Sequence, residues 1–133
     1  MLLGRPYIKR LSILGGEPLA VENAATVSDI IISTRLDYGN EKKIWLYTGF
    51  TFEQIYDDFA YGDCDEHPEY QYRWECVLNS DYLVDGQYID GLRDLTLPFR
   101  GSSNQRIIDI KKTLSNNMKI NLYKEVDKFG NSD

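Results

Sequence analysis

Four short stretches carry residue types that could do chemistry. The first is Gly15-Gly16-Glu17-Pro18. Paired glycines at the end of a strand leave main-chain groups uncovered, so a ligand can approach the backbone closely. Exposed carbonyls and the Glu17 carboxylate would accept hydrogen bonds from an ammonium group, as an amino-acid ligand presents. The same tetrapeptide also suits a tight strand-to-helix turn with no ligand. The second stretch is Asp85-Gly86, a common turn pair, which could instead set a carboxylate against ribose hydroxyls. The third, Arg100-Gly101-Ser102-Ser103-Asn104-Gln105-Arg106, is dense in donors and could hold a carboxylate, or could be a solvated polar turn. The fourth contains Cys64, His67 and Cys76. Structural zinc sites present two close ligand pairs, and this stretch lacks one of them. No metal site is expected there: Cys76 reads as a small buried hydrophobe beside Trp74 and Val77, and Cys64 and His67 as exposed loop residues.

These residues need a scaffold, and the hydrophobic pattern supplies an α/β one. Lys9 to Leu14 reads as a strand stopped by Gly15-Gly16. Leu19 to about Arg35 turns helical, with Val21, Ala25, Ser28 and Ile32 on one face and Ala24, Val27 and Ile31 beside them. Lys42 to Gly49 is a second strand, followed by a helix from Phe52 to about Phe59 with Thr51 as its cap. An acidic stretch beginning near Tyr61 and running to Tyr70 reads as an exposed insertion loop, and Trp74 to Leu78 as a short helix. Asp81 to Val84 is a third strand, Gln105 to Ile110 a fourth, and residues 114–133 a polar tail to which 118–126 could add a strand or helical turn. Strands alternating with helices imply a mostly parallel sheet with flanking helices. The ends at Gly15-Gly16, Thr48-Gly49 and Asp85-Gly86 should then gather along one edge, where ligands bind in such folds.

Bulk properties narrow the function. The 133 residues suggest one domain, and the net charge of −6 argues against a nucleic-acid partner. No apolar run reaches membrane-spanning length and no secretory signal is evident, so a cytoplasmic protein is expected. One histidine and no Gly-x-Ser-x-Gly motif argue against an ordinary hydrolase.

Taken in order, Leu14-Gly15-Gly16-Glu17-Pro18-Leu19, Ile44 to Glu53 with its Tyr47-Thr48-Gly49, Tyr82-Leu83-Val84-Asp85-Gly86-Gln87-Tyr88 and Phe99 to Arg106 resemble the activating proteins of anaerobic ribonucleoside-triphosphate reductase. These belong to the radical S-adenosylmethionine (SAM) enzymes. The resemblance spans roughly residues 8–110. It implies a partial (β/α) barrel with SAM at the strand C-termini and a [4Fe–4S] cluster. An electron donor such as flavodoxin would feed reductive SAM cleavage, which places a glycyl radical on the reductase. By resemblance Gly15, Gly16 and Glu17 face the methionyl amino group, Thr48 belongs to the same site and Asp85 lies near the ribose. Gln87 stands where related enzymes carry Lys, so the SAM carboxylate would fall to Asn104 or Arg106. The Cys-x-x-x-Cys-x-x-Cys motif that holds the family's cluster is absent from these residues. The expectation is therefore an incomplete barrel over residues 1–113 that does not cleave SAM by itself. The alternative is a non-catalytic module that binds SAM or the reductase. A sheet edge left open would favour a homodimer.

Overall fold

The computed structural model describes residues 8–123. Its strands are β1 (Arg10–Ile13), β2 (Lys43–Tyr47), β3 (Tyr82–Asp85) and β4 (Arg106–Asp109). Its helices are α1 (Ala24–Tyr38), α2 (Phe52–Tyr61), α3 (Glu69–Leu78) and α4 (Ile110–Ser115). The sheet order is β1-β2-β3-β4. β1 and β3 both run parallel to β2, with Ile13 opposite Leu46 and Tyr47 opposite Val84. β4 is antiparallel to β3 and sets Arg106 opposite Asp85. An α/β fold with a mostly parallel sheet is thus observed. Because β4 is reversed, its N-terminal end joins the C-terminal ends of the other three strands.

Alternation along the strands makes two unlike faces. One carries Ile44, Leu46, Leu83 and Ile108, packed with Ile31 of α1, Ile55 of α2, Trp74 and Val77 of α3 and Ile110 of α4. The other carries Trp45, Val84 and Ile107, with Tyr47, Tyr82 and Tyr123 against them. Helices cover the first face and aromatic rings the second. Beyond α4 the chain returns along β4: Asp109 N–H donates to Asn121 O (2.8 Å) and Tyr123 N–H to Ile107 O (2.8 Å). Met118 and Ile120 pack against the main core.

Three helices differ from the sequence expectation. One of them is α4, since Ile110 opens a helix instead of ending the fourth strand and no helix was expected there. α1 begins at Ala24, because residues 19–23 form turns after Pro18. Its buried residues are Ala24, Ser28, Ile31 and Thr34, whereas Val21 and Ile32 are exposed. The buried face is therefore rotated from the most apolar one. It tolerates two hydroxyls because both are satisfied: Ser28 donates to Glu75 Oε2 (3.2 Å) and Thr34 to Ile30 O (2.8 Å). α3 starts five residues earlier than Trp74, inside the acidic stretch. Its first turns are polar, yet Arg73 is buried there, donating to Leu19 O (2.7 Å) and lying over the Phe50 ring. No helix among the described residues is long and apolar enough to cross a membrane.

Candidate functional site

Parallel β1 and β2, parallel β3 and reversed β4 bring their glycine-bearing ends to one edge. There they bound an open cleft of about 1170 Å³. Gly15, Gly16, Glu17, Thr48, Asp85, Asn104 and Arg106, the seven residues singled out from the sequence, all line it. Tyr47, Gly49, Glu53, Gln87 and Tyr88 also contribute.

Gly15 and Gly16 take φ of +86° and +46°, a left-handed turn that L side chains rarely adopt. A Cβ at either position would meet nothing within 4 Å. Backbone geometry and not crowding requires glycine here, and the turn stands open to the cleft. Glu17 does local work first. Its Oε1 accepts from Gly49 N–H (2.6 Å), and its Oε2 accepts from Leu19 N–H (2.9 Å) and the Thr48 hydroxyl (2.8 Å). One carboxylate thereby ties the end of β1 to the end of β2. Thr48 in turn accepts from Phe50 N–H (3.2 Å). Three donors leave room on Glu17 for another, since an ionised carboxylate offers about four acceptor positions.

Asp85 and Arg106, assigned from the resemblance to ribose and to a carboxylate, are paired with each other. Arg106 Nε donates to Asp85 Oδ1 at 3.0 Å, and its Nη2 reaches Oδ2 in a fork-to-fork contact. Asp85 Oδ2 also accepts from Phe52 N–H (2.8 Å), which satisfies one of the free donors at the start of α2. Asp85 is only 1% exposed. The rest of the Arg106 guanidinium grips Glu53 at 2.6 and 3.2 Å. The hydrogen bonds to Asp85, and then to Glu53, raise the Arg106 pKa, and the bond from Arg106 holds the Glu53 carboxyl below its ordinary value. With four of its five N–H donors spent on two carboxylates, Arg106 has one Nη1–H left and would grip a third carboxylate with two hydrogen bonds only by exchange for Glu53.

Asn104 bridges the remaining wall. Its Nδ2 donates to Gln87 O (2.8 Å) and its Oδ1 accepts from the Ser102 hydroxyl (2.6 Å). Gln105 braces the same loop, accepting from Gly101 and Ser102 N–H and donating to Gly86 O at 3.1 Å. The donors that look available in residues 100–106 are thus largely used, within the loop and on residues 85–87 and Glu53. Sequence reasoning missed Glu53 and Tyr47. Glu53 faces Arg106 only because α2 begins beside β4, and no local spacing reveals that. Tyr47 looked like one aromatic among many, yet it is half-buried at the cleft, where burial raises its pKa against the opposing charge and hydrogen bond of Arg10.

The fourth stretch is not part of this site. Cys76 is buried with its Sγ 3.8 Å from Ala24 O, and burial pushes its thiol up to about 12. Cys64 is half-buried and directs its Sγ to Phe59 O (3.6 Å). His67 is exposed, 3.2 Å from Glu69, and stacks on Tyr70.

Fold and cleft together define an α/β domain with an open cleft at its strand ends. The chain belongs to the family of 4Fe-4S single cluster domains, whose model matches residues 1–108. It is 31% identical over 105 residues to the anaerobic ribonucleoside-triphosphate reductase-activating protein of Enterobacteria phage T4, covering 79% of this chain and 56% of that protein. It is 32% identical over 100 residues to the protein of the same name from Escherichia coli K12, covering 74% of this chain and 55% of that one. The chain thus spans little more than half the length of the curated relatives it matches. No solved structure gives a significant match.

The residues present do not fit the cluster for which the family is named. Such clusters are held by cysteine thiolates. The sequence has two cysteines, one of them a buried thiol with a raised pKa. Among the described residues no three His, Cys, Asp or Glu side chains come together to hold a metal ion.

Proposed function

We propose that this chain provides the SAM-binding cleft of an activating protein of anaerobic ribonucleoside-triphosphate reductase, and that the sheet is part of a partial (β/α) barrel. The observation that carries this reading is the convergence of four separated motifs, in family order, on one cleft. The cleft has the right charge for the ligand. Glu17, Glu53 and Asp85 face it against Arg106, an excess of negative charge that suits the ammonium and sulfonium of SAM. In this reading Gly15 and Gly16 give the ammonium access to the backbone, and Glu17 accepts from it with its spare capacity. Thr48 orients Glu17, Asn104 holds the far wall against Gln87, and the Asp85–Arg106 pair forms the side next to α2 where the ribose would lie. SAM cleavage and glycyl-radical formation on the reductase belong to the whole activating protein, with a cluster that these residues do not hold and an electron donor such as flavodoxin.

Calorimetric titration with SAM tests the cleft. Saturable binding that Glu17→Ala weakens at least tenfold is expected, and wild-type chain that binds no SAM overturns the reading. The small cysteine inventory favours a second reading, a module that binds SAM or the reductase without redox chemistry. Anaerobic reconstitution with iron and sulfide, followed by EPR with and without SAM, separates the two. A cluster signal perturbed by SAM would exclude the non-catalytic module.

A further inference from the structure

If Arg106 is held by two carboxylates, the cleft needs another group to meet the carboxylate that an amino-acid ligand carries. Arg73 is buried against the Phe50 ring and spends its Nε on Leu19 O. Arg10 is placed differently. It rises from β1 on the aromatic face of the sheet, its guanidinium 3.9 Å from the Trp45 ring centroid and 4.8 Å from that of Phe99. Its Nε donates to Ser12 Oγ (2.9 Å) and its Nη2 to Tyr47 OH (2.9 Å). Among the described residues each of these partners is neutral, in a chain of net charge −6. The side chain is half-buried. Two rings and two hydroxyls fix the orientation of the guanidinium without neutralising it. That is the state in which a planar cation is ready for a planar anion. Tyr47, its hydrogen-bond partner, lines the strand-end cleft, whereas Arg10 itself sits one side chain back from the lining, behind the Tyr47 hydroxyl.

We propose that Arg10, positioned by Tyr47 and stacked on Trp45, is a carboxylate-recognition point where the aromatic face meets the cleft. The site takes a single carboxylate, supplied either by the methionyl end of SAM or by an acidic group of the reductase. It rests on the SAM reading only for the identity of the larger ligand. The carboxylate chemistry is tested separately.

The test uses the folded chain and its tryptophan fluorescence, because Arg10 lies directly over Trp45. Acetate is titrated in exchange for chloride at constant ionic strength. A saturable fluorescence change is expected in the wild type. It should be absent in Arg10→Gln and weakened in Tyr47→Phe, which keeps the ring and loses the hydroxyl. An acetate response that is missing in the wild type, or unchanged in Arg10→Gln, overturns the proposal whatever SAM does. Two further titrations identify the source. If SAM supplies the carboxylate, Arg10→Gln weakens SAM roughly tenfold or more and leaves decarboxylated SAM unchanged. If the reductase supplies it, Arg10→Gln leaves SAM binding intact and weakens binding of the reductase by a similar factor. Equal loss of SAM and decarboxylated SAM, with reductase binding unaffected, marks Arg10 as structural and overturns the assignment. A wild type that binds acetate through Arg10 but binds no SAM sinks the SAM reading and leaves the carboxylate point standing.

Discussion

Two aspartates flank β3, and they use nearly the same chemistry for different ends. Asp81 lies just before the strand and Asp85 closes it. Both are buried, at 3% and 1% exposure. Each accepts one backbone N–H at 2.8 Å, from Ile44 and from Phe52 respectively. Each also pairs with an arginine, Arg35 or Arg106. The difference lies in what the arginine does with its other donors. Arg35 donates to Asn79 O (2.8 Å), Gly39 O (3.1 Å) and Lys42 O (3.2 Å). It thus clamps the ends of α1 and α3 to the start of β2. Arg106 spends its spare donors on Glu53, whose side chain is 57% exposed. Backbone acceptors cannot leave, whereas an exposed carboxylate can swing into water and be replaced. The Asp81 pair therefore closes one pole of the sheet, while the Asp85 pair forms an adjustable wall at the other. A buried Asp–Arg pair does not mark a functional site unless something beside it is open.

The sharpest way to break this comparison is to remove each aspartate in turn. Asp81→Ala leaves the Arg35 charge and the Ile44 N–H without their acceptor, and should cost about 3–5 kcal/mol by urea denaturation. Asp85→Ala should cost less, about 1–3 kcal/mol, because Glu53 still neutralises Arg106. Equal losses would show that Glu53 does not compensate.

Acid sharpens the same contrast. Burial alone would raise the Asp81 pKa, but the hydrogen bonds from Arg35 and Ile44 N–H and the charges of Arg35 and Lys111 outweigh it, so its carboxyl lies below the ordinary value. A depressed carboxylate contributes stability that is fully present above its unfolded pKa of about 3.9. That contribution is lost as pH falls from there through the lower folded value. Wild type should lose more stability than Asp81→Asn between neutral pH and this acid range, and parallel curves would refute the linkage. The smallest effect is expected from Glu53→Gln, which removes a mostly exposed partner. It should change stability by less than about 1 kcal/mol while freeing Arg106 toward the cleft. A change in SAM affinity larger than the change in stability would show the wall to be adjustable.

Much of the architecture was legible because it depends on local patterns. Strand ends marked by Gly15-Gly16, Thr48-Gly49 and Asp85-Gly86 are set by apolar runs meeting glycines, and a parallel sheet then brings them together. The Thr51 cap was readable too; it became a full capping box with Gln54. The buried face of α1 was readable only in part: Ala24, Ser28 and Ile31 fall on or beside the expected face, but Thr34 was missed, because it looks polar until its bond to Ile30 O is known, and Val21 and Ile32 prove exposed. The length of α3 was not readable. Its first residues, 69–72, stay exposed or half-buried and so carry no apolar pattern, while the buried Arg73 finds its partners in Leu19 O and the Phe50 ring.

The sequence by itself determined which residues gather at the strand ends, and the structure added why Gly15 and Gly16 must be glycine, through their positive φ. Hydrophobic period is a local property, so it can be read along the chain. The tertiary structure alone decided how the charges are shared. Arg106 lies opposite Asp85 through strand register, Glu53 reaches Arg106 because α2 starts beside β4, and Arg10 meets Tyr47, 37 residues away, across the sheet. Electrostatic pairing depends on distance in space and on burial, and neither is encoded in spacing along the chain.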